Sequence, residues 1–175
     1  MDLGLIHIYC GDGKGKTTMG VGLSIRAAGY QKKVLYVNFL KNNDSGELTV
    51  MQQLSQIDVI LAEKEFGFIF QMDEKEKEQA RQYYTERFRM VCKKVMEQPY
   101  DMLVLDESIA SYNLEMIPRQ EFITFLKNKP GNLEVVMTGR DPQPELMELA
   151  DYISDVHMVK HPYMKGVPAR EGIEY

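Results

Sequence analysis

An apolar run, Leu5-Ile6-His7-Ile8-Tyr9-Cys10, passes directly into Gly11-Asp12-Gly13-Lys14-Gly15-Lys16-Thr17-Thr18. A strand, a glycine-rich turn and a Gly-Lys-Thr helix start in that order form a phosphate cradle. The glycines let successive backbone N–H groups converge on an anion, and the helix N-terminus adds partial positive charge. The lysine reaches the outer phosphates, and the Thr17 hydroxyl is placed to hold Mg²⁺. The spacing is unusual, because Cys10 stands where the usual pattern has its first glycine, so the loop is effectively one residue short. Val21, Ile25 and Ala28 follow at helical spacing and give the next segment one face to bury.

Beyond the loop, strand-like and helical segments alternate. Strands are predicted at 5–9, 34–39, 58–61, 102–105, 134–137 and 152–157, the third and sixth being the weakest. Several are unbroken apolar runs, the pattern of strands covered on both faces. Helices are predicted at 17–28, 47–54, 74–97, 119–128 and 144–150. In the longest, Tyr84, Phe88, Val91 and Val95 form one stripe, and the charged run from Glu74 to Glu78 suits a helix start. The fold expected is α/β, P-loop NTPase-like, with a mostly parallel central sheet flanked by helices. With no repeat, low-complexity tract or long linker, residues 1–175 read as a single domain.

Composition narrows the setting. A net charge of −5 and a pI near 5.3 argue against unspecific binding to nucleic acid or anionic membrane. No apolar run approaches a membrane span and no secretory leader is visible, so a cytoplasmic location is expected. Two cysteines, Cys10 and Cys92, make neither a disulfide framework nor a metal ligand set. Both are expected as reduced thiols, Cys10 as a small buried filler.

Two further strand ends carry chemistry. Met102-Leu103-Val104-Leu105 leads into Asp106-Glu107, and in a parallel sheet ligands sit beyond the carboxyl ends of the strands. Both acids should therefore face the phosphate loop and can complete a Mg²⁺ site with Thr17. Glu107 can alternatively act as a base for water, as a hydrolytic ATPase requires. The run Val135-Val136-Met137-Thr138-Gly139-Arg140 ends at the same edge and brings Arg140 within reach of a phosphate or carboxylate. On these residues alone, a P-loop ATPase or small-molecule kinase comes first, with a non-catalytic nucleotide-binding protein as a further class.

The chain as a whole resembles the P-loop corrinoid adenosyltransferases, also called cob(I)alamin adenosyltransferases. The resemblance rests on the shortened loop Gly11 to Thr18, then Val37-Asn38-Phe39-Leu40-Lys41, Gly67-Phe68-Ile69-Phe70 and Leu105-Asp106-Glu107. Thr138-Gly139-Arg140, Glu148-Leu149-Ala150-Asp151, Val159-Lys160-His161-Pro162 and the closing Gly172-Ile173-Glu174-Tyr175 continue it.

That resemblance implies transfer of the adenosyl group of ATP to the cobalt of a reduced corrinoid, with inorganic triphosphate released. It implies ATP and corrinoid as substrates, Mg²⁺ as cofactor, a flavoprotein reductant and a homodimer. ATP is expected in the reverse of the usual sense, with its α-phosphate deep in the loop and the ribose 5′ carbon open to attack. Co(I) is itself the nucleophile, so Lys16, the loop N–H groups and Mg²⁺ act by positioning and electrostatics. Lys14 and Lys41 are expected to add charge. Phe68 and Phe70 are expected to press beneath the corrinoid ring and remove its lower axial ligand, which eases reduction. Relatives carry tryptophan where Phe70 stands, and this chain has no tryptophan. Many relatives also have an N-terminal helical segment over the corrinoid, whereas this sequence starts almost at its first strand; either another segment closes the site or it stays more open. His161 is expected to be solvated or hydrogen-bonded rather than a cobalt ligand.

Overall fold

A computed structural model describes residues 3–67 and 69–175. Six strands form its sheet: β1 (Ile6–Cys10), β2 (Val34–Asn38), β3 (Ile57–Ile60), β4 (Met102–Asp106), β5 (Glu134–Thr138) and β6 (Tyr152–Asp155). Their order is β3-β2-β4-β5-β1-β6, and every neighbouring pair is parallel. All strands therefore end at one edge. The two weakest sequence signals, β3 and β6, are the edge strands, which need apolar cover on fewer sides. Residues 156 and 157, predicted as strand, leave the sheet after Asp155.

Helices α1 (Lys16–Gly29), α2 (Gly46–Met51), α3 (Glu74–Glu97), α4 (Ser108–Asn113), α5 (Arg119–Asn128) and α6 (Pro144–Leu149) cover the sheet. Side chains alternate across each strand, so Leu35, Val37, Leu103, Leu105, Val135 and Met137 belong to the core under α3 and α5. Val34, Tyr36, Met102, Val104 and Val136 face the other way, packed with Ala28 and Leu48 of α1 and α2. The predicted stripe of α3 is buried as expected, together with Ala80 and, unexpectedly, Arg87. Its start is fixed by a capping box: Asp73 Oδ1 accepts from Glu76 N at 2.8 Å, and Asp73 N donates to Glu76 Oε2 at 2.9 Å.

The short helix α4 has no counterpart among the predicted helices. Its sequence, Ser-Ile-Ala-Ser-Tyr-Asn, is too short to show helical periodicity and rich in residues that compete locally for backbone hydrogen bonds. Tertiary packing makes it, with Ile109 and Tyr112 almost fully buried.

The crossover from β1 to β2 positions the site. Helix α1 packs over β4 and β5, and a Cβ on Gly20 would lie 3.3 Å from Val104 Cγ1. Close approach at that glycine brings the start of α1 beside the ends of β1, β4 and β5. Among the described residues, no helix is long and apolar enough to cross a membrane.

Candidate active site

The phosphate loop is braced by the chain that follows β6. Gly13 N donates to Val156 O at 2.7 Å, Val156 N to Cys10 O at 2.9 Å, and Met158 N to Asp12 Oδ1 at 2.9 Å. A Cβ at Gly11 would sit 2.4 Å from both Val156 O and Asp155 Oδ1, so the loop can approach this segment only as glycine. The Met158 N–H also holds the Asp12 carboxyl below its ordinary pKa. Asp12 thus works here as a structural brace of the loop. Cys10 is buried beneath it, and burial pushes its thiol up.

Gly15, at φ 117°, turns the chain into α1 and leaves Lys16 at the first helical position. Lys16 is 9% exposed and its Nζ donates to Gly13 O at 2.8 Å. Burial, followed by the charge of Arg140, pulls its pKa down. Arg140 follows Gly139, where φ is 149° and a Cβ would meet Ile109 Cβ at 2.6 Å. It lies close enough for its charge to act on Lys16, Asp12 and Glu107 as well.

Thr17 and the strand-end acids come together. Asp106 is 1% exposed; its Oδ1 accepts from Thr138 Oγ1 at 2.6 Å, and its Oδ2 from Thr17 Oγ1 at 3.3 Å. The Thr138 hydroxyl also accepts from Glu107 N at 2.9 Å, fixing both acids from the adjacent strand. Glu107 takes a left-handed conformation, φ 56°, and burial raises its pKa while the nearby Lys41 cation opposes the rise.

Lys41 enters from β2. Buried Arg87 of α3 donates to Ile60 O at 2.6 Å, Leu61 O at 2.8 Å and Asn38 O at 3.3 Å, tying the ends of β2 and β3 together. Phe39 N donates to Asp106 O at 2.9 Å, and Leu40 then turns the chain at φ 54°. The Lys41 ammonium consequently donates to Thr17 Oγ1 and Asp106 Oδ2, both at 2.7 Å, and lies 3.9 Å from Glu107 Oε1. A cation thus sits among one hydroxyl and two carboxylates. An oxygen donor set of this kind fits Mg²⁺.

Lys41 also lines a largely apolar cavity of about 740 Å³, with Phe66, Ile69, Phe70, Tyr84 and Leu114 and with Asn42, Glu65 and Lys77 among its polar lining. Phe70 lies in a 3-10 turn, Ile69–Gln71, and is 79% exposed at the rim. Phe68 lies outside the described residues. Phe66 packs against Tyr83 and Tyr84, with ring centroids 5.4 and 5.7 Å away, and makes the inner wall firm.

A profile of the family ATP:corrinoid adenosyltransferase BtuR/CobO/CobP matches residues 2–175. The chain belongs to this family. It is 32% identical to the corrinoid adenosyltransferase of Escherichia coli (strain K12) over 175 residues, 98% of this chain and 86% of the relative. The corrinoid adenosyltransferase CobA of Salmonella typhimurium (strain LT2) matches with the same identity and coverage. A corrinoid adenosyltransferase from a Sinorhizobium species is 27% identical, over 98% of this chain and 80% of its own. The protein is accordingly an enzyme of ATP-dependent corrinoid adenosylation.

In this corrinoid adenosyltransferase many, but not all, of the groups singled out in the sequence meet in space. Gly11, Gly13, Gly15, Lys16, Thr17, Asp106, Glu107, Lys41 and Arg140 converge at the carboxyl edge of the sheet. Thr18 lines a small polar pocket of about 170 Å³ with Thr17, Lys41 and Glu174. Lys14 pairs with Glu174 at 2.9 Å, which Arg170 also binds. His161 is hydrogen-bonded, its Nδ1 accepting from Tyr163 N at 3.1 Å. Thr138, Arg87, Phe66 and Leu114 support the site and were not among the candidate residues read from the sequence. Thr138 carried a signal, as the last residue of a strand beside the acids. Arg87 carried none, since an arginine within a charged helix reads as solvent-facing.

Proposed function

We propose that this enzyme transfers the 5′-deoxyadenosyl group of ATP to the cobalt of a Co(I) corrinoid and releases inorganic triphosphate, using the phosphate loop and the apolar cavity as its two substrate sites. The observation that carries this reading is Lys41, which lines the cavity while contacting Thr17 and Asp106. A polyphosphate held at Gly11 to Thr18 and the apolar face of a corrin ring held against Phe66, Ile69 and Phe70 would then meet at one point.

In this reading Lys16 and the loop N–H groups hold the triphosphate, and their electrostatic effect grows as charge develops on the leaving group. Lys14 and Arg140 add positive charge at the rim. Thr17, Asp106 and Glu107 would hold Mg²⁺, which supplies neutralisation of the triphosphate charge when bound. Because the cobalt is the nucleophile, the protein has to align C5′ and stabilise the departing triphosphate; the alignment alone can supply roughly 7–11 kcal/mol of the barrier. Phe70 provides apolar surface under the corrinoid ring, the role that the family resemblance also implies for Phe68.

Electrons for Co(I) come from a separate flavoprotein in this proposal. Neither cysteine is suited to deliver them, because Cys10 is buried and burial pushes the Cys92 thiol up to about 12. Unpaired cysteines fit a cytoplasmic setting, and a homodimer is the assembly carried over from the resemblance. The products test the reading. Incubation with Mg-ATP and prereduced cob(I)alamin should yield triphosphate in step with alkylcobalamin, whereas ADP or orthophosphate as the primary product would support a kinase or ATPase instead.

A further inference from the structure

The ammonium of Lys41 makes contacts that a divalent cation would make. It donates at 2.7 Å to both Thr17 Oγ1 and Asp106 Oδ2, and faces Glu107 Oε1 at 3.9 Å. These are the three groups proposed above to hold Mg²⁺, and Asp106 is too buried for water to replace the pairing cheaply. An ammonium and a divalent cation cannot share the same two oxygens, because like charges at such a separation repel strongly away from bulk water. Lys41 is able to leave: its stem carries four methylenes, its side chain is 32% exposed, and it borders the apolar cavity.

We propose that Lys41 is a resident counter-ion of the metal site, holding Thr17, Asp106 and Glu107 in place and excluding free divalent cation until metal–nucleotide displaces it toward the cavity mouth. The inference rests on the Mg²⁺ site proposed above and adds an order of events to it. The site refuses metal without nucleotide, since only the extra contacts of the triphosphate with the loop offset the loss of the Lys41 bonds. Displacement also changes the wall of the corrinoid cavity, so nucleotide loading alters the second substrate site through one side chain.

Mn²⁺ binding, followed by electron paramagnetic resonance and calorimetry, provides the test. Lys41→Met should tighten Mn²⁺ binding to the nucleotide-free protein by on the order of ten- to a hundredfold. Lys41→Arg, which keeps the charge, should leave it as weak as in the wild type. Asp106→Asn in the Lys41→Met background should abolish the gain, tying it to this site. Should Lys41→Met prove poorly folded by circular dichroism, Lys41→Gln removes the same charge and must show the same gain. Equal nucleotide-free Mn²⁺ affinity in wild type and uncharged variants, with Mn-ATP still bound through Thr17 and Glu107, would overturn the counter-ion role alone. Binding of Mn-ATP that ignores Thr17→Ala and Glu107→Gln would instead remove the metal site itself.

Discussion

Thr138 and Asp106, at the ends of neighbouring strands, are joined by a 2.6 Å hydrogen bond in which the threonine hydroxyl donates to a carboxylate that is 1% exposed. Through its second contact, from Glu107 N, the same hydroxyl sets the direction in which Glu107 leaves β4. Thr138→Val keeps the shape and deletes the donor. Loss of a buried hydrogen bond to a charged group should cost roughly 1.5–3 kcal/mol, read from urea denaturation. The metal concentration for half-maximal rate should rise as well. A variant of unchanged stability and metal dependence would mean that the acids are held by other contacts.

Glu174 ties the end of the chain to the phosphate loop through Lys14, and to Arg170 through a 3.0 Å ion pair. Hydrogen bonds from Arg170 first, and from Lys14 second, hold its carboxyl down to about 2, against an ordinary value of 4.5. A depressed acid contributes its docking fully above the ordinary value and loses it as pH falls through the folded one. Tail docking should therefore persist at neutral pH and disappear between about 4.5 and about 2. Hydrogen exchange across residues 170–175 reads this directly. Glu174→Gln should show fast exchange there at pH 7, and slow exchange in that variant would refute the tether.

Replacing Phe70 tests the proposed role beneath the corrinoid, because it should separate cobalt reduction from adenosyl transfer. At 79% exposure, its replacement should change stability by only about 0.5 kcal/mol. Phe70→Ala should be strongly impaired when the assay begins from cob(II)alamin with a flavoprotein reductant, and nearly normal from prereduced cob(I)alamin. Phe70→Trp should be tolerated or improve the first assay. Equal losses from Phe70→Ala in both assays would exclude a role in removing the lower ligand.

Much of this fold was legible because parallel strands buried on both faces read as unbroken apolar runs, as in Val34 to Val37 and Met102 to Leu105. The gathering of the candidate residues at one edge was legible for a related reason. Once the strands are parallel, Thr17, Asp106 and Arg140 must share an edge, whatever their separation in sequence. What stayed hidden depends on tertiary partners. Helix α4 has too few residues to show a period. Arg87 is buried only because carbonyls at Asn38, Ile60 and Leu61 are left for it by the ends of β2 and β3. The closeness of Lys41 to Asp106 follows from the left-handed turn at Leu40, which no residue type there announces.

In the proposed reaction, Lys16 bears on the leaving group most directly. With its Nζ on Gly13 O, Lys16→Ala removes one internal hydrogen bond and should keep the fold, while the rate of transfer should fall on the order of a hundredfold or more. Near-normal turnover at saturating Mg-ATP would contradict the assignment.

Joining the adenosyl group of ATP to a reduced corrinoid, proposed to take place where the phosphate loop meets the cavity, is the activity on which the expectations for Lys16 and Phe70 rest. An anaerobic visible spectrum, taken after mixing the protein, Mg-ATP and chemically prereduced cob(I)alamin, measures it in one step. The expected result is conversion of the cob(I)alamin spectrum to that of an alkylcobalamin, with one triphosphate per corrinoid and a sharply slower change for Lys16→Ala. A cob(I)alamin spectrum that persists while ATP is hydrolysed to ADP would contradict it.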